Sequence, residues 1–164
     1  MEIKKKPKTT SSTSLFLLCI GLGVTNCNTP TEEEFNLTEK YISMVADFRD
    51  HKDNERTFNF DQLSEFEWNR MFIFKPYSPI ETVNDKIGFK WDQAESTLIN
   101  QSDDFNLIVF VIDDKNVRYC RLPRNEGDFI KLDSSGPFYS NNSSFILRKE
   151  KNGEQDWIFV YKKR

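Results

Sequence analysis

Histidine, glycine and long apolar runs are scarce in this 164-residue chain, and each scarcity closes off a class of chemistry. The single histidine, His51, sits among Asp50, Lys52, Asp53 and Asn54, with no serine or cysteine nearby in sequence to serve as its nucleophile. A histidine-based triad is therefore not expected. Nor is a zinc site, which takes three or four ligands and would have only acids to complete it. The six glycines never gather into a phosphate-cradling run, which excludes a P-loop or a dinucleotide fingerprint. The longest apolar stretch, Leu15 to Val24, is ten residues, half of the roughly 20 that a membrane-spanning helix needs. Basic residues number 23 against 26 acidic ones, so the basic footprint of a nucleic-acid binder is missing. No catalytic set, metal site, cofactor or nucleic-acid partner is expected. Asp103-Asp104 and Asp113-Asp114 are paired acids in sequence only. A glycosidase holds its two carboxyls roughly 5 to 9.5 Å apart across a sugar, whereas adjacent residues in a turn point apart.

What is present begins with an address. Lys4, Lys5, Lys6 and Lys8 precede the apolar stretch, giving the order of a secretory signal: positive start, short apolar middle, polar exit. The exit, Val24-Thr25-Asn26-Cys27, resembles the lipobox of bacterial lipoproteins, with Asn26 standing where glycine, alanine or serine is usual. That resemblance implies removal of residues 1–26, diacylglycerol on Cys27, a short tether over 27–30, and a single domain over 31–164. An ordinary cleaved signal or an uncleaved anchor are the alternatives. Each buried acyl methylene contributes about 0.8 kcal/mol, so two or three chains hold a protein stably where one does not. The expected location is the bacterial cell envelope, anchored to a membrane by lipid, the outer membrane if the cell is Gram-negative. Glu32-Glu33-Glu34 suits the first turn of a helix and also resembles the acidic segment that follows the lipidated cysteine in some Gram-negative lipoproteins.

The mature part would hold 138 residues with nineteen basic and twenty-five acidic side chains, a net charge of minus 6. Such a length suffices for one core without disulfide staples. Only Cys120 remains once Cys19 leaves with the signal and Cys27 is lipidated, and a lone strand cysteine packs as a small hydrophobe. Fourteen Phe, five Tyr and three Trp supply most of that core.

Two helices and several strands are legible. Thr31-Glu32-Glu33-Glu34 forms a capping box. Leu37, Tyr41, Met44 and Phe48, widened by Val45, then make one apolar stripe to about Arg49. Ser78-Pro79-Ile80-Glu81 reads as a serine cap followed by proline in the first helical position, with Gly88 as the left-handed stop and Phe89 folding back. Strands are expected at 56–60, 68–74, 98–100, 105–112, 117–122, 144–150 and 156–162, with hairpins at 113–116 and at 151–154, where Asn152-Gly153 favours positive φ. The expectation is an α+β domain: an antiparallel sheet of five to seven strands with two helices on one face.

Phe66-Glu67-Trp68-Asn69, the apolar strand after it, and Pro76-Tyr77-Ser78 leading into a helix that stops at glycine form one block. This block, to about Trp91, resembles a segment of a family of small, uncharacterised bacterial proteins, often lipoproteins, in which an acid follows the tryptophan. Asn69 takes that place here. The resemblance brings no activity with it. It singles out Trp68, Asn69, Tyr77 and Trp91 as candidate binding residues, while alternation alone puts Trp68, Phe72 and Phe74 on one strand face. The leading expectation is a non-enzymatic, lipid-anchored envelope protein that binds a partner. The alternatives are a carboxylate-based hydrolase or sugar-acting enzyme, and an inhibitor or immunity-type protein.

Overall fold

The computed structural model describes residues 32–114 and 116–164, and side chains from Asn36 onward. Cys27 and the capping Thr31 lie outside those residues. The first helix, α1, spans Glu32–Asp50. Its stripe of Leu37, Tyr41, Val45 and Phe48 is buried, with Met44 packed beside it. Arg49 stands in the last turn, and Lys149 donates to the carbonyl of His51 just beyond it. Cations there answer the unpaired carbonyls of the helix end.

The strands β1 (Glu55–Asn59), β2 (Arg70–Phe74), β3 (Phe105–Val111), β4 (Val117–Pro123), β5 (Ser144–Asn152) and β6 (Gln155–Lys162) are joined by two short helices, α2 (Phe60–Leu63) and α3 (Ile80–Ile87). All six strands pair antiparallel, so the molecule is α+β as its sequence predicts. Two details of the expected arrangement are corrected. The strands form two three-stranded sheets, ordered β1-β5-β6 and β2-β3-β4. The two longer helices also lie on opposite faces of the second sheet rather than sharing one.

The reason is the composition of β2, Arg70-Met71-Phe72-Ile73-Phe74. Its last four residues are all buried, and a strand that is apolar at every position must be covered on both faces. Met71 and Ile73, with Ile108, Phe110, Cys120 and Leu122, join α1 and the β1-β5-β6 sheet in one core. Phe72 and Phe74, with Leu107, Val109 and Val111, meet Val83 and Ile87 of α3, Trp91, Ala94 and Ile99 in a second. The β2-β3-β4 sheet is thus the middle layer.

Residues 124–143 contain no strand, yet they close two sheet edges. Asp128 exchanges backbone hydrogen bonds with Ile158 and Val160 on β6 (2.8 and 2.9 Å). Phe138 exchanges two with Met71 on β2 (2.8 and 2.9 Å), and Ile73 donates to Ser135 (2.9 Å). An open edge is a template for pairing with other chains, and this connector occupies one edge of each sheet.

Local expectations fare unevenly. The hairpins form as read: Asp113 Oδ1 accepts from the Asn116 amide (2.9 Å), and Gly153 has φ +64. Gly88 ends α3 at φ +94 with its N–H on Asn84 O (2.9 Å). Phe89 packs back against that core. Ser78, however, is not the cap; Pro79 takes that position, and Ser78 Oγ instead donates to Lys75 O (2.7 Å). The expected strand at 98–100 is a turn following a 3₁₀ turn at Glu95–Thr97, with Leu98 left-handed at φ +60. Trp68 does not share a face with Phe72 and Phe74. Its indole N–H donates to Ser64 Oγ (3.0 Å) and its ring meets Phe110 edge-on, so the chain bends before β2 starts.

The pairings also order the two ends of the molecule. Lys40 bonds Glu65, and Arg118 lies over Phe66, so the middle of α1 lies toward the end where β2 starts and the β3–β4 hairpin turns. Arg49 bonds Glu126, Arg124 binds the Asp104 carbonyl, and Phe74 pairs Leu107. The last turn of α1, the end of β2 and the start of β3 therefore share the opposite end. Lys40 and Arg49, nine residues apart on α1, are separated by about 14 Å at 1.5 Å per residue.

Candidate functional site

Of the four singled-out positions, two are core. Trp68 is buried on the α1 side of the middle sheet and Trp91 on the α3 side, where it meets Tyr119 edge-on at 5.2 Å and donates its backbone N–H to Asn84 Oδ1 (2.9 Å). Asn69 is exposed but occupied: its amide donates to Ile112 O (2.6 Å) and its backbone N–H to Val111 O (2.9 Å), extending the β2–β3 pairing. These residues do not converge. Tyr77 differs from all three, being 59% exposed with φ +60.

Tyr77 borders a cleft of about 370 Å³ between the turn that follows β2 and the turn at residues 95–101. Its other walls include Ile80 and Glu81 at the start of α3, then Glu95, Asn100 and Gln101. Each wall is held from beneath. Ser78 bonds back to Lys75 through both its amide and its hydroxyl. Ala94 is buried, and Thr97 Oγ1 donates to its carbonyl (2.6 Å). The Leu98 N–H reaches Glu95 O (3.1 Å) and the Gln101 N–H reaches Leu98 O (3.0 Å). Leu98, 47% exposed, is the second non-glycine residue with positive φ. A bulky residue in that region stores about 1–2 kcal/mol, and such strain concentrates where function demands it.

The electrostatics of the cleft are one-sided. Glu81 and Glu95 have no salt-bridge partner among the described residues, and no cationic side chain lines the walls. Lys75, close by in sequence, is turned to the carbonyls of Ile130 (3.0 Å) and Leu132 (2.8 Å). Two carboxylates, two amides, one ring and an aliphatic wall can accept hydrogen bonds and cover apolar surface.

Other groups are structural. Arg49, Lys149 and Lys151 border a second cleft of about 430 Å³, but Glu126 and Asp156 pair the first and last, and the His51 carbonyl takes the other. Asp128 is buried and receives Arg124 through Nε (3.0 Å) and Nη2 (2.7 Å) and the Ile130 amide (3.0 Å). The Tyr41 hydroxyl is fully buried without a partner, and burial pushes its pKa far above 10. His51 is exposed and pairs with Asp53 (3.2 Å). Asp103 and Asp104 use their carbonyls to hold Arg124. Among the described residues no three His, Cys, Asp or Glu side chains gather to hold a metal, and no helix is long and apolar enough to cross a membrane.

Sequence reading singled out Tyr77 but not Glu95, Asn100, Gln101 or Leu98, and placed Glu81 only within a helix start. Their proximity arises from two segments that meet in space, and no spacing in the chain announces it. In comparisons with known proteins, the chain matches no family model, no curated protein and no solved structure.

Proposed function

We propose that this chain is a lipid-anchored bacterial envelope protein, attached through Cys27, whose folded part binds a partner. The observation that carries the reading is the lysine-rich start, ten apolar residues and Val24-Thr25-Asn26-Cys27 directly ahead of α1. The fold supports the binding part of the reading in one respect: an exposed ring and two strained turns border a cleft after the end of β2. The direct test is metabolic labelling with a fatty-acid probe. Full-length protein takes up label and Cys27→Ser does not; equal labelling of both, or labelling of neither, rejects the anchor.

One observation favours a second reading, a sugar-acting hydrolase, because Glu81 and Glu95 share the cleft with Tyr77. Both carboxyls are exposed, whereas a general acid is made by apolar surroundings. Binding is therefore the preferred function. Release of reducing ends from cell-wall glycan by the wild type, abolished in Glu81→Gln or Glu95→Gln, would reverse that preference.

A further inference from the structure

We infer that the cleft beside Tyr77 is a docking site for a polypeptide segment that presents lysine or arginine next to an apolar side chain. The inference deepens the proposed binding role by naming the partner's chemistry, and it holds whether or not Cys27 carries lipid.

Among the described residues, four large hydrophobic side chains are conspicuously exposed: Tyr77, Leu98, Ile130 and Tyr139. Three of them lie at one end of the fold. Tyr77 follows β2, Leu98 belongs to the turn that carries Asn100 and Gln101, and the carbonyl of Ile130 is bound by Lys75, two residues before Tyr77. Exposed apolar side chains scattered singly need no explanation, but a group of them rimmed by polar residues marks an interaction surface. Tyr77 and Leu98 both sit at positive φ, where glycine would carry no strain, so each turn holds a large side chain at a cost.

Charge selects the partner. Among the described residues, Glu81 and Glu95 face the same opening without a cation of their own, in a chain of net charge minus 3. An anionic ligand or a phosphate would meet two carboxylates and no cation, with only the neutral donors of Asn100, Gln101 and Tyr77 to hold it. A lysine or arginine end satisfies both acids, its methylene stem lies along the aliphatic wall, and the guanidinium or ammonium faces a tyrosine ring that attracts cations. Asn100 and Gln101 add donors and acceptors suited to a peptide backbone. The cleft's volume of about 370 Å³ admits one or two side chains, so the occupant is a short segment and not a folded face.

The test uses full-length protein in detergent and two fluorescent 12-residue peptides, one alternating lysine with leucine and the other alternating glutamate with leucine. The lysine peptide binds, and the glutamate peptide does not. Exposed ion pairs contribute up to about 1 kcal/mol each, so Glu81→Gln together with Glu95→Gln weakens binding about tenfold at low salt, and 0.5 M salt removes most of the difference. Glu39→Gln with Glu67→Gln changes the same net charge elsewhere on the surface and leaves affinity within about twofold. Tyr77→Gly, which removes the ring while relaxing its backbone, weakens binding without lowering the melting temperature. Equal binding of both peptides, binding of neither, or an equal response to the two double variants overturns the inference. Self-association at rising protein concentration that Tyr77→Gly abolishes also overturns it, in favour of a second copy of the chain. Failure of the wild type to take up the fatty-acid label, or equal labelling of Cys27→Ser, would reject the anchor and leave these outcomes untouched.

Discussion

At the residue scale the hydroxyl of Tyr41 is an uncomfortable group. It lies fully buried, without a hydrogen-bond partner, against Gly127. Gly127 itself has φ +141, and a Cβ there would collide with that hydroxyl. An unpaired buried polar group costs about 1–3 kcal/mol. Tyr41→Phe keeps the ring contacts with Phe58, Phe60 and Phe129 and is expected to raise stability by about 1 kcal/mol in urea titration. Gly127→Ala is expected to lower it by about 2–4 kcal/mol, through backbone strain and overpacking. In a Tyr41→Phe background the loss shrinks, because the colliding oxygen is gone; strictly additive effects would refute the collision. The same hydroxyl governs alkaline behaviour. Burial first, then the charges of Cys120, Glu126 and Asp128, holds it protonated in the fold, whereas it ionises near 10 when unfolded. Its ionisation in the unfolded chain costs the fold nothing below pH 10 and lowers stability as pH rises further. Tyr41→Phe should flatten the loss of stability above pH 10, which melting curves between pH 9 and 11 will show.

At the scale of elements, β2 is the strand on which both cores depend. Neighbouring residues of one strand point to opposite faces, so Phe72 serves the α3 side and Ile73 the α1 side. Truncation of either is expensive, about 3–5 kcal/mol for Phe72→Ala and about 2–5 for Ile73→Ala. The two should nonetheless be felt in different places. With 5-fluorotryptophan incorporated, Phe72→Ala moves the fluorine resonance of Trp91 more than that of Trp68, and Ile73→Ala does the reverse; a common response would contradict the layering. Elements defined by short-range pattern were legible in the sequence: the stripe of α1, the glycine stop of α3, both hairpins, and the burial of Cys120. Elements defined by distant partners were not. β1 pairs with β5, Glu55 opposite Arg148, and nothing near either strand signals the other. The 124–143 connector has no alternation to read, yet it supplies Phe129, Leu132 and Phe138 to the core. Leu98-Ile99-Asn100 has strand composition and is a turn, because Ile99 is taken by the second core while Leu98 is turned out. The cleft was legible only in part: the resemblance of the block from Phe66 to Trp91 singled out Tyr77, and its acidic neighbours are brought to it only by three-dimensional proximity.

At the scale of the whole molecule, three layers follow from the middle sheet: α1 with the β1-β5-β6 sheet, then β2-β3-β4, then α3 and the turns around Trp91. Local openings should follow this layering. Amide hydrogen exchange is expected to be slowest in β3, whose residues Asn106 to Val111 are all buried and whose two edges are both paired. The tip of the β5–β6 hairpin, exposed from Lys151 to Asp156, should exchange fastest among the strands. Faster exchange in β3 than in β5 would refute the layering.

The direction of α1 has a mechanical meaning. Its start lies next to the proposed point of attachment, and its last turn lies at the end that carries the cleft. A pull between a held partner and the tether would therefore run along the helix axis, sliding it across the sheet instead of peeling it away. In that geometry Leu37, Tyr41, Val45 and Phe48 must all leave their places together, so the tension is shared among four side chains and no single one gives way first.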